Sequence, residues 1–290
     1  MARAIVLLTA LTLLCLTPLP RLEAQTVHAG SLAEVQARAQ REHKPVALYF
    51  SGGAWCQPAL RLKAEVFDSS EFSTATQDVL WFTLEFPQQE DQASAQDLAL
   101  AARYGVTTLP QVVLTTPTGL PFARLSGYKT GGAQTYLADI KALLPQQERL
   151  EALQKAGTTV KALDALYREA ERDDVAQTSA FAGIPQEISH LDPGSGGLGD
   201  RYRLLDKYNA LIESWSGPVN WQDAANKLTK LAARAQAYPH LQQTILVTLG
   251  SLYFDALHEE DLAKSTLVQA LALGDTPEAH QARRLLDRLP

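Results

Sequence analysis

Apolar residues in the first half of the chain follow two different spacings, and their order predicts a layered arrangement of helices and strands. Runs rich in strand-forming residues cover 44–50, 79–86, 111–116 and 121–127. Segments with apolar residues at helical spacing lie at 31–43, 57–67, 97–104 and 132–144. Ser31 is expected to cap the first of these helices.

The connections between the strands predict how they pair. The first two strands are separated by a helical segment, which favours parallel pairing. The last two are joined by a turn at residues 117–119, which predicts an antiparallel hairpin. We therefore predict an α/β domain at 25–145, with a mixed central sheet flanked by helices.

From residue 146 onward the strand pattern disappears, which predicts an all-α C-terminal domain. Helical spacing covers 148–156, 160–172, 200–215, 221–237, 241–257, 261–273 and 277–289. The last helix has Thr276 as N-cap and Pro277 at its first position. The turn-rich stretch DPGSGGL at 192–198 separates a helical linker region, 146–198, from a helical domain, 199–290.

Two pairs of alanines indicate a repeat in this helical domain. Ala225 and Ala232 precede Ala263 and Ala270 by 38 residues, and each pair is spaced seven apart. Together with Leu249-Gly250, this pattern resembles a tetratricopeptide repeat. An irregular helical bundle is the alternative.

The N-terminus predicts export. Residues 1–24 contain Arg3 and then an apolar run that ends at two prolines, as in a secretory signal peptide cleaved near Ala24. We expect the mature protein to be periplasmic or extracellular, with an uncleaved N-terminal anchor as the alternative. No other stretch is long and apolar enough to cross a membrane.

Charge and histidine content exclude several classes of function. The net charge is −6, with both signs interleaved, whereas a nucleic-acid binder needs a basic face. The six histidines are scattered and form no pair at ligand spacing, so no metal site is predicted. The sequence gives no sign of a nucleotide or a flavin, and we expect no cofactor.

The cysteine count is informative. The chain has two cysteines, Cys15 and Cys56, and removal of the signal peptide would leave Cys56 alone. An exported protein with one cysteine forms no internal disulfide. Its thiol is buried, capped, paired with another chain, or reactive.

Cys56 lies in the stretch FSGGAWCQPAL, which follows the first predicted strand. Trp55-Cys56 and Pro58 are arranged as in the WCGPC motif of thioredoxins, and Thr108-Leu109-Pro110 is similar to the cis-proline loop of that family. Residues 31–145 therefore resemble the thioredoxin-like fold, and within it the exported members of the family.

The resemblance implies a site formed by one nucleophile and a peptide-binding groove. Cys56 is the candidate nucleophile, and the binding residues implied are Trp55, Gln57, Pro58, Leu109 and Pro110. At the N-terminus of a helix, unpaired N–H groups would stabilise negative charge on the sulfur.

Two departures from the family pattern weaken the expected chemistry. Ala59 stands where the family has its second cysteine, and Phe50 stands where many members have a buried acid. Dithiol exchange needs a second sulfur to resolve the mixed disulfide. We therefore do not expect the chain to turn over as an enzyme on its own.

The sequence leaves three interpretations of Cys56 open: an inert buried residue, a functional single thiol, and a thiol that borrows a second cysteine from another chain. The first functional hypothesis is a cell-envelope interaction or thiol-binding protein with a protein or peptide partner. The alternative is a monothiol redox protein that forms mixed disulfides through Cys56 in cell redox homeostasis.

Overall fold

The computed structural model describes residues 31–75 and 77–289. The predicted signal peptide, with Cys15, lies outside the described residues.

The described residues form four strands and thirteen α-helices. The strands are β1 (Val46–Ser51), β2 (Leu80–Glu85), β3 (Gln111–Thr115) and β4 (Pro121–Ser126). The helices are α1 (Leu32–Glu42), α2 (Gln57–Leu62), α3 (Ser70–Ala75), α4 (Ala95–Arg103), α5 (Gly132–Leu143), α6 (Gln146–Lys155), α7 (Val160–Arg172), α8 (Ile184–Leu191), α9 (Leu198–Glu213), α10 (Trp221–Arg234), α11 (Pro239–Asp255), α12 (Glu260–Leu271) and α13 (Pro277–Leu286).

The sheet has the mixed topology predicted from the connections. Its strand order is β2-β1-β3-β4. β1 pairs with β2 in parallel, and the pairings of β3 with β1 and with β4 are antiparallel. The predicted α/β fold class is confirmed, with helices packed on both faces of this sheet.

Side-chain caps explain where several helices begin. Ser31 and Glu34 form a reciprocal capping box at α1: the Ser31 hydroxyl accepts from the Glu34 amide, and the Glu34 carboxylate accepts from the Ser31 amide. Thr276 caps α13 and is followed by Pro277, as predicted. Such caps satisfy amide groups that the helix itself leaves unpaired.

The two faces of the sheet are covered by different helices. On one face, α1 and α4 pack over a cluster that includes Leu48, Phe50, Tyr104 and Val113. On the other face, the Phe67 ring contacts the rings of Tyr49, Phe72, Trp81 and Tyr136 at centroid distances of 4.7–5.9 Å. Phe67 ends the π-helical turn Lys63–Phe67 that continues α2.

The second face belongs to a larger buried cluster, which we call the first core. It continues beyond residue 145 and includes Leu150, Leu163, Phe181 and Ile188. A backbone hydrogen bond from the Ser179 amide to the Arg103 carbonyl, 2.9 Å long, adds a polar link. The buried faces of the helices at 146–198 therefore belong to the same cluster as this face of the sheet, and α6 contacts β4 directly. That residues 25–145 fold as a domain independent of these helices stays a prediction.

The second core lies among helices α9–α13. It contains three of the alanines that suggested a repeat, Ala225, Ala232 and Ala270, and Ala263 is buried as well. At Gly250 the helices approach so closely that a Cβ atom would lie 2.7 Å from the Leu267 side chain. The helical C-terminal region agrees with the prediction, while the tetratricopeptide-like assignment stays a prediction.

Helix α8 is absent from the sequence-based assignment. It has eight residues, and Pro185 occupies its first turn. Its signal is short, because only Ile184, Pro185 and Ile188 are buried in this helix. Among the described helices, none is long and apolar enough to cross a membrane.

Candidate thiol site

The chain leaves β1 at Ser51 and reaches Cys56 through one tight turn. A Cβ atom on Gly52 would lie 2.5 Å from the Cys56 Cβ and 2.8 Å from the Trp55 ring, so only glycine fits there. Gly53 has φ +57°, a left-handed conformation that glycine adopts readily. The Ser51 hydroxyl accepts a 3.0 Å hydrogen bond from the Gly53 amide and holds the turn.

Cys56 is the N-cap residue of α2, and its thiol is free. Its Sγ lies 3.8 Å from the Leu109 carbonyl oxygen, and the Leu109-Pro110 peptide bond is cis. The structure thus brings together the two segments that the sequence motif singled out, although 53 positions separate Cys56 from Leu109. Cys56 is only 6% exposed.

The surface around the thiol is partly apolar. Trp55 is 43% exposed, and its Nε1 donates a 2.8 Å hydrogen bond to the Phe86 carbonyl at the end of β2. Leu60, Gln57 and Pro58 on α2 are also exposed. On the opposite side of Cys56, Leu109 is half-buried and Pro110 is buried.

The position of the expected second cysteine lies inside the fold. Ala59 is 2% exposed and lies on the buried side of the first turn of α2. Phe50 is fully buried, with its ring 6.2 Å from that of Phe86 and 6.4 Å from that of Tyr104. A methyl group and a phenyl ring therefore occupy the places where the family pattern has a thiol and an acid.

Tyr49, on β1, interacts electrostatically with the thiol, and sequence reasoning missed it. It lies in the first core, on the opposite face of the sheet from Phe50. Burial raises the pKa of Tyr49; the Ser51 hydroxyl opposes this rise, and Cys56 and Glu85 add to it when ionised. Strand alternation carries the signal, because residues 49 and 50 must face opposite sides.

Two comparisons with known proteins identify the family to which this sequence is similar. A family described as a thioredoxin-like domain matches residues 32–141. Disulfide bond reductase DsbH from Chlamydia pneumoniae is 31% identical over 118 residues, which cover 39% of this chain and 70% of that protein.

This chain belongs to the thioredoxin-like family.

A solved structure titled DsbH Oxidoreductase also matches, at 28% identity. The match covers 45% of this chain and 92% of that one, with a TM-score of 0.39. The thioredoxin-like match ends at residue 141, so α6–α13 lie beyond it.

A thioredoxin-like site with one sulfur can perform only part of an exchange reaction. The thiolate attacks a disulfide and forms a mixed disulfide, whereas resolution needs a second thiolate. Within residues 31–75 and 77–289, no group of three or more His, Cys, Asp or Glu residues could hold a metal ion.

Proposed function

We propose that this protein is an exported thioredoxin-like protein that binds a disulfide-bearing partner through Cys56. The observation that carries the proposal is the approach of the Cys56 Sγ to the Leu109 carbonyl beside the cis Leu109-Pro110 bond. Exposed Trp55 and Leu60 flank the thiol and offer apolar surface to an extended peptide.

The covalent step is a single thiol–disulfide exchange. The Cys56 thiolate attacks one sulfur of the partner's disulfide, the partner's S–S bond breaks, and its other sulfur leaves as a thiolate. The product is one mixed disulfide between Cys56 and the partner. Because Ala59 has no sulfur, release requires a thiolate from another molecule, which leaves Cys56 reduced and carries the partner away as a new disulfide.

The alternative function is a monothiol redox protein that cycles with an external thiol. Its support is the name of the Chlamydia relative, which describes that protein as a disulfide bond reductase. The two functions differ in turnover. A binding protein retains its partner, whereas a monothiol reductase releases many product molecules per chain when a small thiol is supplied.

Export rests on residues 1–24 and is tested separately. Cell fractionation and the mass of the purified protein would detect periplasmic or extracellular chain that begins near Gln25. A chain that retains residue 1 and sediments with membranes would support the uncleaved anchor instead.

The thiol function is tested by treating the folded protein with oxidised glutathione and measuring its intact mass. We expect one glutathione adduct, which maps to Cys56, forms without denaturant and is absent from Cys56→Ser. Because Cys56→Ser retains Cys15, it also reports any reaction of an uncleaved signal peptide. An adduct on Cys56 that forms only after unfolding would support the inert, buried interpretation and overturn the proposal.

A further inference from the structure

A cleft of about 880 Å³ separates helices of the first core from helices of the second core. This volume lies within the range of roughly 300–1,000 Å³ that small-molecule sites occupy. One wall comes from α7 and α9, and the other from the start of α11 and of α13. No residue of the thiol site lines this cleft, so a ligand bound there would be independent of the proposed thiol function.

Three arginines lie on the first wall: Arg168 and Arg172 from α7, and Arg201 from α9. Asp164 forms an ion pair with Arg168 Nε, at 3.2 Å, and accepts a hydrogen bond from Arg201 Nη1, at 3.1 Å. A guanidinium has five N–H groups, so an arginine held by one carboxylate retains donors for a ligand. Asp164 therefore orients two of the arginines without using all of their donors.

The opposite wall presents the positive end of a long helix. α11 has 17 residues, and its first turn, from Pro239 to Leu241, lines the cleft. No side chain caps this turn. Tyr238, at the N-cap position, directs its hydroxyl to the Gly197 carbonyl at 2.8 Å. The first turn of such a helix favours an anion.

One carboxylate in the cleft works against an anion. Glu171 lies on α7 between Arg168 and Arg172. Burial raises its pKa, and the charges of Arg201 and Arg168 oppose that rise. An ionised Glu171 would repel a bound anion, and its removal should strengthen binding. Glu278 is the other carboxylate of the lining.

Apolar side chains complete the lining, among them Leu198, Leu205 and Leu241. We propose that the cleft binds a small organic anion, with its carboxylate or phosphate head between the arginines and the first turn of α11. The apolar body of the ligand would then contact the leucines. The shared chemistry is an oxyanion attached to a hydrocarbon group.

The test is isothermal titration of the full chain with hexanoate, hexyl phosphate and the neutral control hexanamide. We expect saturable binding of at least one anion and none of hexanamide. The stronger of the two anions identifies the head group as carboxylate or phosphate.

Variants give effects of opposite sign. Arg168→Gln combined with Arg172→Gln should weaken anion binding about tenfold or more, because charge-assisted hydrogen bonds are lost. Glu171→Gln should strengthen binding several-fold, which a merely structural effect would not do. Arg283→Gln, at a similarly exposed arginine outside the cleft, should leave binding unchanged.

Three results would overturn the proposal. They are no saturable binding of either anion at millimolar concentrations, equal binding of hexanamide, and anion binding that the double arginine substitution leaves unchanged. Circular dichroism of each variant establishes that it is folded before its affinity is compared.

Discussion

The first core contains side chains from the sheet and from helices, whereas the second core contains side chains from helices alone. Helix α9 joins them, because Tyr202 is buried in the first core and Leu204 in the second. A substitution in either core can therefore affect the other through α9. The two candidate sites lie in different places: the thiol site lies on the sheet side of the molecule, and the charged cleft lies between the two cores.

The largest effect that tests this comparison comes from Phe181, a first-core residue beyond residue 145. It is 1% exposed. Phe181→Ala should lower the free energy of unfolding by about 3–5 kcal/mol, because it leaves a cavity in the first core. Urea unfolding measures the loss, and hydrogen exchange should speed up in β4.

Leu191→Ala is the matched control, because Leu191 also lies beyond residue 145 but is 48% exposed. It should change stability by less than about 0.5 kcal/mol. If Phe181→Ala destabilised the C-terminal helices without changing hydrogen exchange in β4, the conclusion that these helices share one core with the sheet would be wrong.

A smaller effect is expected at Gln243 in the second core. Its Nε2 donates to the Ala270 and Gly274 carbonyls at 2.8 and 2.9 Å, and its Oε1 accepts from the Thr276 hydroxyl at 2.7 Å. Gln243→Ala removes all three hydrogen bonds, of which the one to Ala270 is buried, and should cost about 1–3 kcal/mol. Urea unfolding would measure this loss.

Its control is Gln242→Ala, at a less buried neighbour on α11, which should have little effect. Exchange in the second core should rise more than exchange in β4. Equal changes in both regions would show that the two cores unfold as one unit.

The smallest effect concerns Asp173, at the end of α7. Neither carboxylate oxygen forms a hydrogen bond within the described residues, and Arg172 Nε lies 3.7 Å from Oδ1. Burial raises the pKa of Asp173, while Arg172 and Arg149 oppose the rise.

The sign of the pH dependence follows from this raised pKa. The native state favours the protonated acid, so the stabilisation is fully present below the unfolded pKa of about 3.9 and is lost as pH rises through the folded pKa. Asp173→Asn should therefore be more stable than the wild type at pH 7. Thermal unfolding from pH 3 to 7 should show this advantage shrinking as pH falls. A variant that is less stable at neutral pH would indicate that Arg172 outweighs burial.

The contrast between the two cores also explains how much of the molecule could be predicted from the sequence. Strand and helix order in the first half follows from local periodicity and turns, and Ser31, Thr276 and Pro277 mark helix ends by local chemistry. That Leu150, Phe181 and Ile188 share a buried cluster with the sheet is not a local property. A buried apolar face reveals that a helix needs a partner, but it does not reveal which partner.

The thiol site and the cleft also differ in how far each could be predicted from the sequence. Cys56 and Pro110 could be paired from the sequence because each lies in a short motif. The electrostatic interaction of Tyr49 with the thiol could be predicted only by knowing which face of the sheet this strand residue occupies. The cleft brings together Arg168, Arg201 and the start of α11, which belong to no motif, so only the packing of three helices places them together.

The most direct test of the proposed thiol function compares the lifetime of the Cys56–glutathione adduct in the wild type with that in Ala59→Cys. After free glutathione is removed, the wild-type adduct should persist until an external thiol is added. In Ala59→Cys, the new thiolate should attack the adduct, release glutathione and form a disulfide between Cys56 and the introduced cysteine.

Ala54→Cys adds a sulfur at an exposed position on the other side of Cys56 and should release glutathione more slowly than Ala59→Cys. Intact mass against time measures all three proteins. We predict a stable wild-type adduct and rapid release from Ala59→Cys. Failure of the folded wild type to form the adduct, or its loss of the adduct as fast as Ala59→Cys, would contradict the proposal that Cys56 captures a partner it cannot release alone.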